Sequence, residues 1–117
     1  MSVILQVAFP WDEDEDAVRA ASLVQARELM RREEFIWKII LRDPRSRISG
    51  AVYLFADRAK AESWRAGLMA RRGPSLEARI FEVDEAASLL TRAPLSGAAQ
   101  GGAQALTIDR VNASNDE

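Results

Sequence analysis

The chain contains no cysteine and no histidine. The absence of cysteine fits a reducing compartment and excludes disulfides, thiol nucleophiles and thiolate-bound metals. The absence of histidine excludes the Ser-His-Asp arrangement, imidazole-bound zinc or iron and the usual general base at neutral pH. Any proton transfer must therefore rely on Asp, Glu, Lys, Tyr or the substrate itself.

The sequence also lacks a long apolar run and a large excess of one charge. No apolar stretch approaches the roughly 20 residues that span a bilayer, and the start MSVILQVAFPWDEDED has neither the basic flank nor the cleavage pattern of a secretory signal. The net charge of −2, from 16 basic and 18 acidic side chains, gives no positive field for a phosphate backbone. We therefore expect a cytoplasmic protein that binds neither membranes nor nucleic acid.

What the chain does have is enough apolar residues for one hydrophobic core, 48% of 117. Periods of two and of 3.6 residues predict the order β-α-β-β-α-β, followed by a short closing helix in DEAASLLTR. The predicted strands are Val3–Phe9, 33–42, Ile48–Phe55 and Leu76–Val83. The first predicted helix covers 14–32, and the second begins at its N-cap Asp57 and ends at the sequence RRGP, Arg71–Pro74. We assign residues 1–92 to one domain and 93–117 to a Gly/Ala/Gln-rich tail.

This order of elements predicts an α+β, ferredoxin-like protomer with a four-stranded antiparallel sheet and both helices on one face. The second face would then be exposed. Strands two and three are apolar in both parities, which would expose a patch larger than a soluble monomer tolerates. We therefore expect a homodimer joined sheet to sheet, with Lys38 and Glu34 able to pair across the interface.

The segments EEFIWKIILRDPRSRISGAVYLFADRAKAESW and ARIFEVDEAASLLTRAPL resemble the YdhR-type mono-oxygenase family. These are small bacterial proteins of the dimeric α+β barrel superfamily, which also includes the antibiotic-biosynthesis mono-oxygenases. The resemblance covers about Glu34 to Leu95 and is strongest in FIWK, GAVYLFAD and IFEVDE. It implies a homodimer with a cavity between each sheet and its helices. It also implies an oxidoreductase that oxygenates an electron-rich aromatic molecule with O₂ and with no metal, haem or flavin.

Trp37, Tyr53 and Phe55 are the candidate substrate-binding residues. Their ring faces would stack on a flat aromatic substrate, and an indole N–H or hydroxyl would orient its oxygen. The alternative interpretation is that these three side chains only pack in the core. A five-residue loop from Asp43 to Arg47 would set Trp37 opposite Tyr53 in a continuous aromatic wall, whereas a four-residue loop would set Trp37 opposite Val52.

Further candidates come from the helices and the acidic segment. Trp64 of helix two could roof the same cavity, and an inward-facing Arg27 of helix one could hold an anion, although its head could equally reach water. Lys38 is interpreted as an interface or surface charge. DEDED at 12–16 fits a solvated helix start or, alternatively, a cation site.

The leading hypothesis is a cofactor-independent mono-oxygenase of an aromatic or quinone-like small molecule, with no identified catalytic base. The alternatives are a non-catalytic dimer that binds a small molecule and a purely structural dimer. The structural dimer would have no cavity of about 300 Å³ or more, the lower end for ligand pockets.

Overall fold

The computed structural model describes residues 1–95. The elements are β1 (Val3–Pro10), α1 (Glu15–Leu29), β2 (Trp37–Asp43), β3 (Ile48–Phe55), α2 (Arg58–Arg72) with a 3₁₀ turn (Gly73–Ser75), β4 (Glu77–Glu82) and α3 (Glu85–Leu90). Two compact units divide the chain at Val83 and Asp84. The first unit has the predicted β-α-β-β-α-β order, and the second contains the predicted short helix. The assignment of 93–117 to a tail stays a prediction, since all but its first three residues lie outside the described part.

The helices begin and end where the sequence provides caps. Asp14 accepts a hydrogen bond from the Ala17 amide at 2.9 Å, and Asp57 accepts one from the Lys60 amide at the same distance. Gly73 follows α2 with a φ of 78°, the left-handed region that favours glycine. The acidic segment 12–16 thus starts α1. Within residues 1–95, no group of three or more Asp, Glu, His or Cys side chains could hold a metal ion, and no helix is long and apolar enough to cross a bilayer.

The four strands form one antiparallel sheet in the order β2-β3-β1-β4. Tyr53 lies near its middle, opposite Leu5 of β1 on one side and Lys38 of β2 on the other. Opposed side chains share a face of a sheet. Tyr53, Leu5 and Lys38 therefore all point to the same side, where α1 and α2 lie, which we call the inner face.

The register of β2 differs from both registers considered from the sequence. The loop has four residues, 44–47, but it sets Trp37 opposite Leu54 rather than Val52 or Tyr53. The Asp43 carboxylate fixes the turn by accepting hydrogen bonds from the Arg45 amide at 3.1 Å and the Ser46 hydroxyl at 2.7 Å. The observed register is shifted by one residue from the one that would set Trp37 opposite Tyr53, and such a shift turns every side chain of the strand to the opposite face. Trp37 therefore lies on the side of the sheet away from the helices, which we call the outer face, and the predicted aromatic wall does not form.

The core lies between the inner face and α2. Ala61 and Leu68 of α2 pack into it, and its largest fully buried side chains on the inner face are Tyr53, Phe55 and Leu5. Phe35 also packs against this core although its parity is that of Trp37. It can do so because residues 34–36 form a bend, so that β2 begins later than predicted.

Helix α1 covers the inner face without burying any residue. Its half-buried side chains are Val18, Ser22, Gln25, Ala26 and Leu29, a stripe with helical spacing. The sequence predicts instead a core stripe on this helix through Ala17, Ala20, Leu23, Val24 and Met30. That prediction is wrong, since Leu23, Val24 and Met30 are 60%, 54% and 73% exposed. The helix turns a partly polar side toward the sheet, and the space between them remains open.

Candidate active site

A cavity of about 280 Å³ occupies the space between α1 and the inner face. This volume is close to the lower end of known ligand pockets, about 300 Å³. We call it the α1 cavity. Its apolar wall is formed by Val7, Phe9, Trp11, Ala17, Val18, Ala21, Ile40, Gly50, Ala51, Leu68 and Leu76, and its polar lining by Glu13, Ser22, Gln25, Lys38, Ser49, Tyr53 and Arg72. An apolar cavity with a few convergent polar groups is typical of small-molecule sites.

The first polar group of the cavity is centred on Lys38. Its ammonium donates a hydrogen bond to Gln25 Oε1 at 3.3 Å and lies 4.9 Å from the centroid of the Tyr53 ring. The Tyr53 ring is 2% exposed and stacks on Phe55 at 5.9 Å, while Phe35 meets it edge-on at 5.5 Å. A rigid aromatic base and an amide from α1 thus hold a cation at the cavity wall.

A second group lies at the far end of β1. The Phe9 ring carries the Arg72 guanidinium 3.7 Å from its centroid. Two residues after Phe9, Trp11 is 8% exposed and donates its backbone N–H to the Arg47 carbonyl at 3.0 Å. The Arg47 guanidinium covers the Trp11 ring at 4.5 Å and donates a hydrogen bond to the Glu13 carbonyl. These stacked contacts fix the wall at this end of the cavity.

The structure brings three of the five candidate substrate-binding residues together. Tyr53, Phe55 and Trp64 form one aromatic cluster, with Trp64 centred 5.8 Å from Tyr53 and 6.4 Å from Phe55. Of these, only Tyr53 lines the α1 cavity. Trp37 lies on the outer face, and Arg27 is exposed on α1 and does not line the cavity. A role in substrate binding stays a prediction for all five.

Sequence reasoning missed Lys38, Gln25 and Arg72 as cavity residues. Lys38 stands out in the sequence of β2 as a charged residue among apolar neighbours. The register with Trp37 opposite Tyr53, however, would place Lys38 on the face expected to form the dimer. Gln25 lies on the opposite side of α1 from Leu23, which the sequence places in the core. No sequence signal distinguishes Arg72 from Arg71 at the end of α2.

The expected pairing of Lys38 with Glu34 is between two subunits and stays a prediction, but within the subunit Lys38 lies on the inner face. The Glu34 carboxylate instead accepts two hydrogen bonds from Arg32, from Nε at 3.0 Å and from Nη2 at 2.8 Å. These bonds lower the pKa of Glu34 to about 2. Neither Arg32 nor Glu34 lines the α1 cavity, so their ion pair belongs to the surface before β2.

Comparison with protein families and solved structures places the chain among known folds. The family model described as "Putative mono-oxygenase ydhR" matches residues 4–94. This chain is similar to the crystal structure of a mutant of SnoaB, a cofactor-independent oxygenase from Streptomyces nogalater. The TM-score is 0.51 and the sequence identity 16%, over 71% of this chain and 93% of that one. At that identity the similarity shows a shared α+β fold.

Two further comparisons add no functional argument. An ethyl tert-butyl ether degradation (ethd) family protein from Bacillus halodurans is similar with a TM-score of 0.48 and 16% identity, over 71% of this chain and 99% of that one. No curated protein matches the chain.

Proposed function

The chain belongs to the ydhR mono-oxygenase family, and we propose that it is a cofactor-independent mono-oxygenase acting on an aromatic or quinone-like molecule in the α1 cavity. One observation carries this proposal: the Lys38 ammonium lies over the Tyr53 ring and is held by Gln25 at the wall of an otherwise largely apolar cavity. The fold shared with SnoaB, itself a cofactor-independent oxygenase, supports the same reaction class.

The proposed chemistry uses the substrate as the electron donor. A phenol or enol that loses its proton becomes electron-rich enough to pass an electron to O₂. The resulting substrate radical and superoxide then combine to form a peroxide. With an anthrone, the ring CH₂ becomes C=O, one oxygen atom stays in the product and the other leaves as water, so the equation balances without an external reductant. The protein must bind the substrate, exclude water and stabilise its anion.

The cavity residues fit this division of tasks. Lys38, rather than Arg27, would stabilise the substrate anion, because Lys38 lines the cavity and Arg27 does not. Gln25 orients the Lys38 ammonium from α1, and Tyr53 provides the ring below it. The aliphatic lining would exclude water from the reacting carbon.

We test the function by oxygen uptake without added cofactor, using a panel of anthrones and hydroquinones. Ser22→Trp should abolish uptake, because Ser22 lines the cavity and a large ring there fills it. The matched control is Leu23→Trp, since Leu23 is 60% exposed on the same helix and should leave uptake unchanged. Thermal stabilisation by the panel with no uptake would instead favour a non-catalytic binding protein.

We also propose that the protein is a homodimer joined through the outer face. The exposed apolar side chains there are Ile39, Leu41, Ile48 and Phe81, each 41% to 49% exposed. A stable interface buries about 800 Å² per subunit, and a second copy would supply the matching surface. Ile39→Glu should convert a dimer to a monomer in light scattering, and Leu23→Glu on α1 should not. A monomeric wild type at micromolar concentration would contradict this assembly.

A further inference from the structure

We propose that Arg72 binds an anionic substituent of the ligand, so that the substrate is a hydroxylated aromatic acid whose carboxylate and phenolic oxygen lie at opposite ends. The inference rests on the proposed function only in placing the ligand in the α1 cavity. It would hold equally for a protein that binds this ligand without oxygenating it.

Arg72 lies at the cavity wall without a carboxylate partner. It is the last residue of α2 and lines the α1 cavity. Its guanidinium stacks 3.7 Å from the centroid of the Phe9 ring, and within residues 1–95 it forms no salt bridge. The ring of Phe9 thus positions a planar group whose N–H donors remain available to a ligand.

The chemistry of a stacked guanidinium selects the ligand group. Its N–H donors form a rigid fork that matches both oxygens of a carboxylate. Stacking on Phe9 removes side-chain freedom before binding, so less entropy is lost when the ligand is held. A carboxylate attached to the ring system is therefore the group that this end of the cavity would recognise.

The two cations of the lining lie over rings at different positions along the inner face. Lys38 lies opposite Tyr53, which pairs with Leu5 of β1, whereas Arg72 lies over Phe9. Phe9 is four positions after Leu5, about 13 Å along an extended strand. A ligand that meets both cations carries its two oxygen functions at opposite ends of a flat scaffold.

The test compares two probes that differ only in the carboxylate, 6-hydroxy-2-naphthoic acid and 2-naphthol. We expect the wild type to bind the acid about tenfold more tightly, because the carboxylate gains a charge-assisted pair with Arg72. Arg72→Gln should remove this preference, and Arg72→Lys should retain part of it, since Lys keeps the charge but not the fork. Arg71→Gln is the matched control: Arg71 is also in the last turn of α2, does not line the cavity, and should leave the preference intact.

Three results would overturn the inference: equal affinity of the wild type for the two probes, an equal loss in the Arg71 and Arg72 variants, or no binding of the acid at millimolar concentration. Its failure is separable from that of the oxygenase proposal. Binding that depends on Arg72 without oxygen uptake would refute the oxygenase alone, and oxygen uptake with no preference for the acid would refute the role of Arg72 alone.

Discussion

Replacing Lys38 by methionine should raise the pKa of a phenol bound in the α1 cavity. Methionine keeps a long flexible side chain of similar length but removes the charge. In the wild type, the ammonium uses one donor for Gln25 Oε1 at 3.3 Å, which leaves two donors for a ligand oxygen. A phenolate close to Lys38 would therefore gain both a charge pair and a hydrogen bond that the neutral phenol lacks.

The magnitude follows from the position of Lys38. Two opposite charges 4 Å apart near a protein surface attract by about 4 kcal/mol. Lys38 is half-buried, and water on its exposed side reduces this to roughly 2 kcal/mol. That free energy corresponds to a pKa about 1.5 lower for the bound phenol in the wild type than in the Lys38→Met variant.

The assay is an absorbance titration of bound 2-naphthol, whose ionised form has a distinct spectrum. Lys60→Met is the control, because Lys60 is the other lysine of the chain and is exposed on α2 outside the cavity lining. The reasoning is refuted if the pKa of the bound phenol is the same in the wild type and the Lys38 variant, or if the Lys60 variant shifts it as much.

Two further predictions concern stability. Gly50→Ala should lower the free energy of unfolding in urea by about 1–3 kcal/mol, because a Cβ there would lie 2.5 Å from the Val7 carbonyl oxygen. Gly67→Ala inside α2 should instead raise it by about 0.5–1 kcal/mol, because a Cβ there would meet only the Arg71 guanidinium, at an ordinary contact distance of 3.8 Å. Similar losses in both variants would contradict the steric argument. The pKa of Glu34 is lowered from 4.5 to about 2, so its pair with Arg32 stabilises the fold above pH 4.5 and this contribution disappears as the pH falls toward 2. Glu34→Gln should therefore flatten the acid limb of stability against pH, and an NMR titration that finds Glu34 ionising near 4.5 would show that the pair does not form in solution.

The order of elements could be predicted from the sequence because it depends on local signals. Asp14 and Asp57 cap the two long helices, and Gly73 ends the second. A period of two marks the strands wherever one face is buried. Each of these signals acts within a few residues, so a single chain contains enough information to detect it.

The family resemblance implies a cavity between sheet and helices, but its lining could not be predicted, because the lining depends on strand register and helix rotation, which tertiary packing determines. The apolar residues of β2 occur in both parities, so hydrophobicity alone did not decide whether Trp37 or Lys38 faces the helices. The aromatic character of Trp37 favoured the wrong choice. The same ambiguity affected α1, where Leu23 and Val24 suggested a core stripe that the structure leaves exposed.

The two helices differ in what they contribute to the fold. Helix α2 buries Ala61 and Leu68 in the core, so apolar packing holds it to the sheet. Helix α1 buries none of its residues and instead reaches β2 through the Gln25–Lys38 hydrogen bond and an ion pair 3.9 Å long between Glu15 and Arg42. Such partly exposed polar contacts add little stability. Stability therefore lies mainly on the α2 side, and the α1 side is free to keep an open cavity without weakening the core.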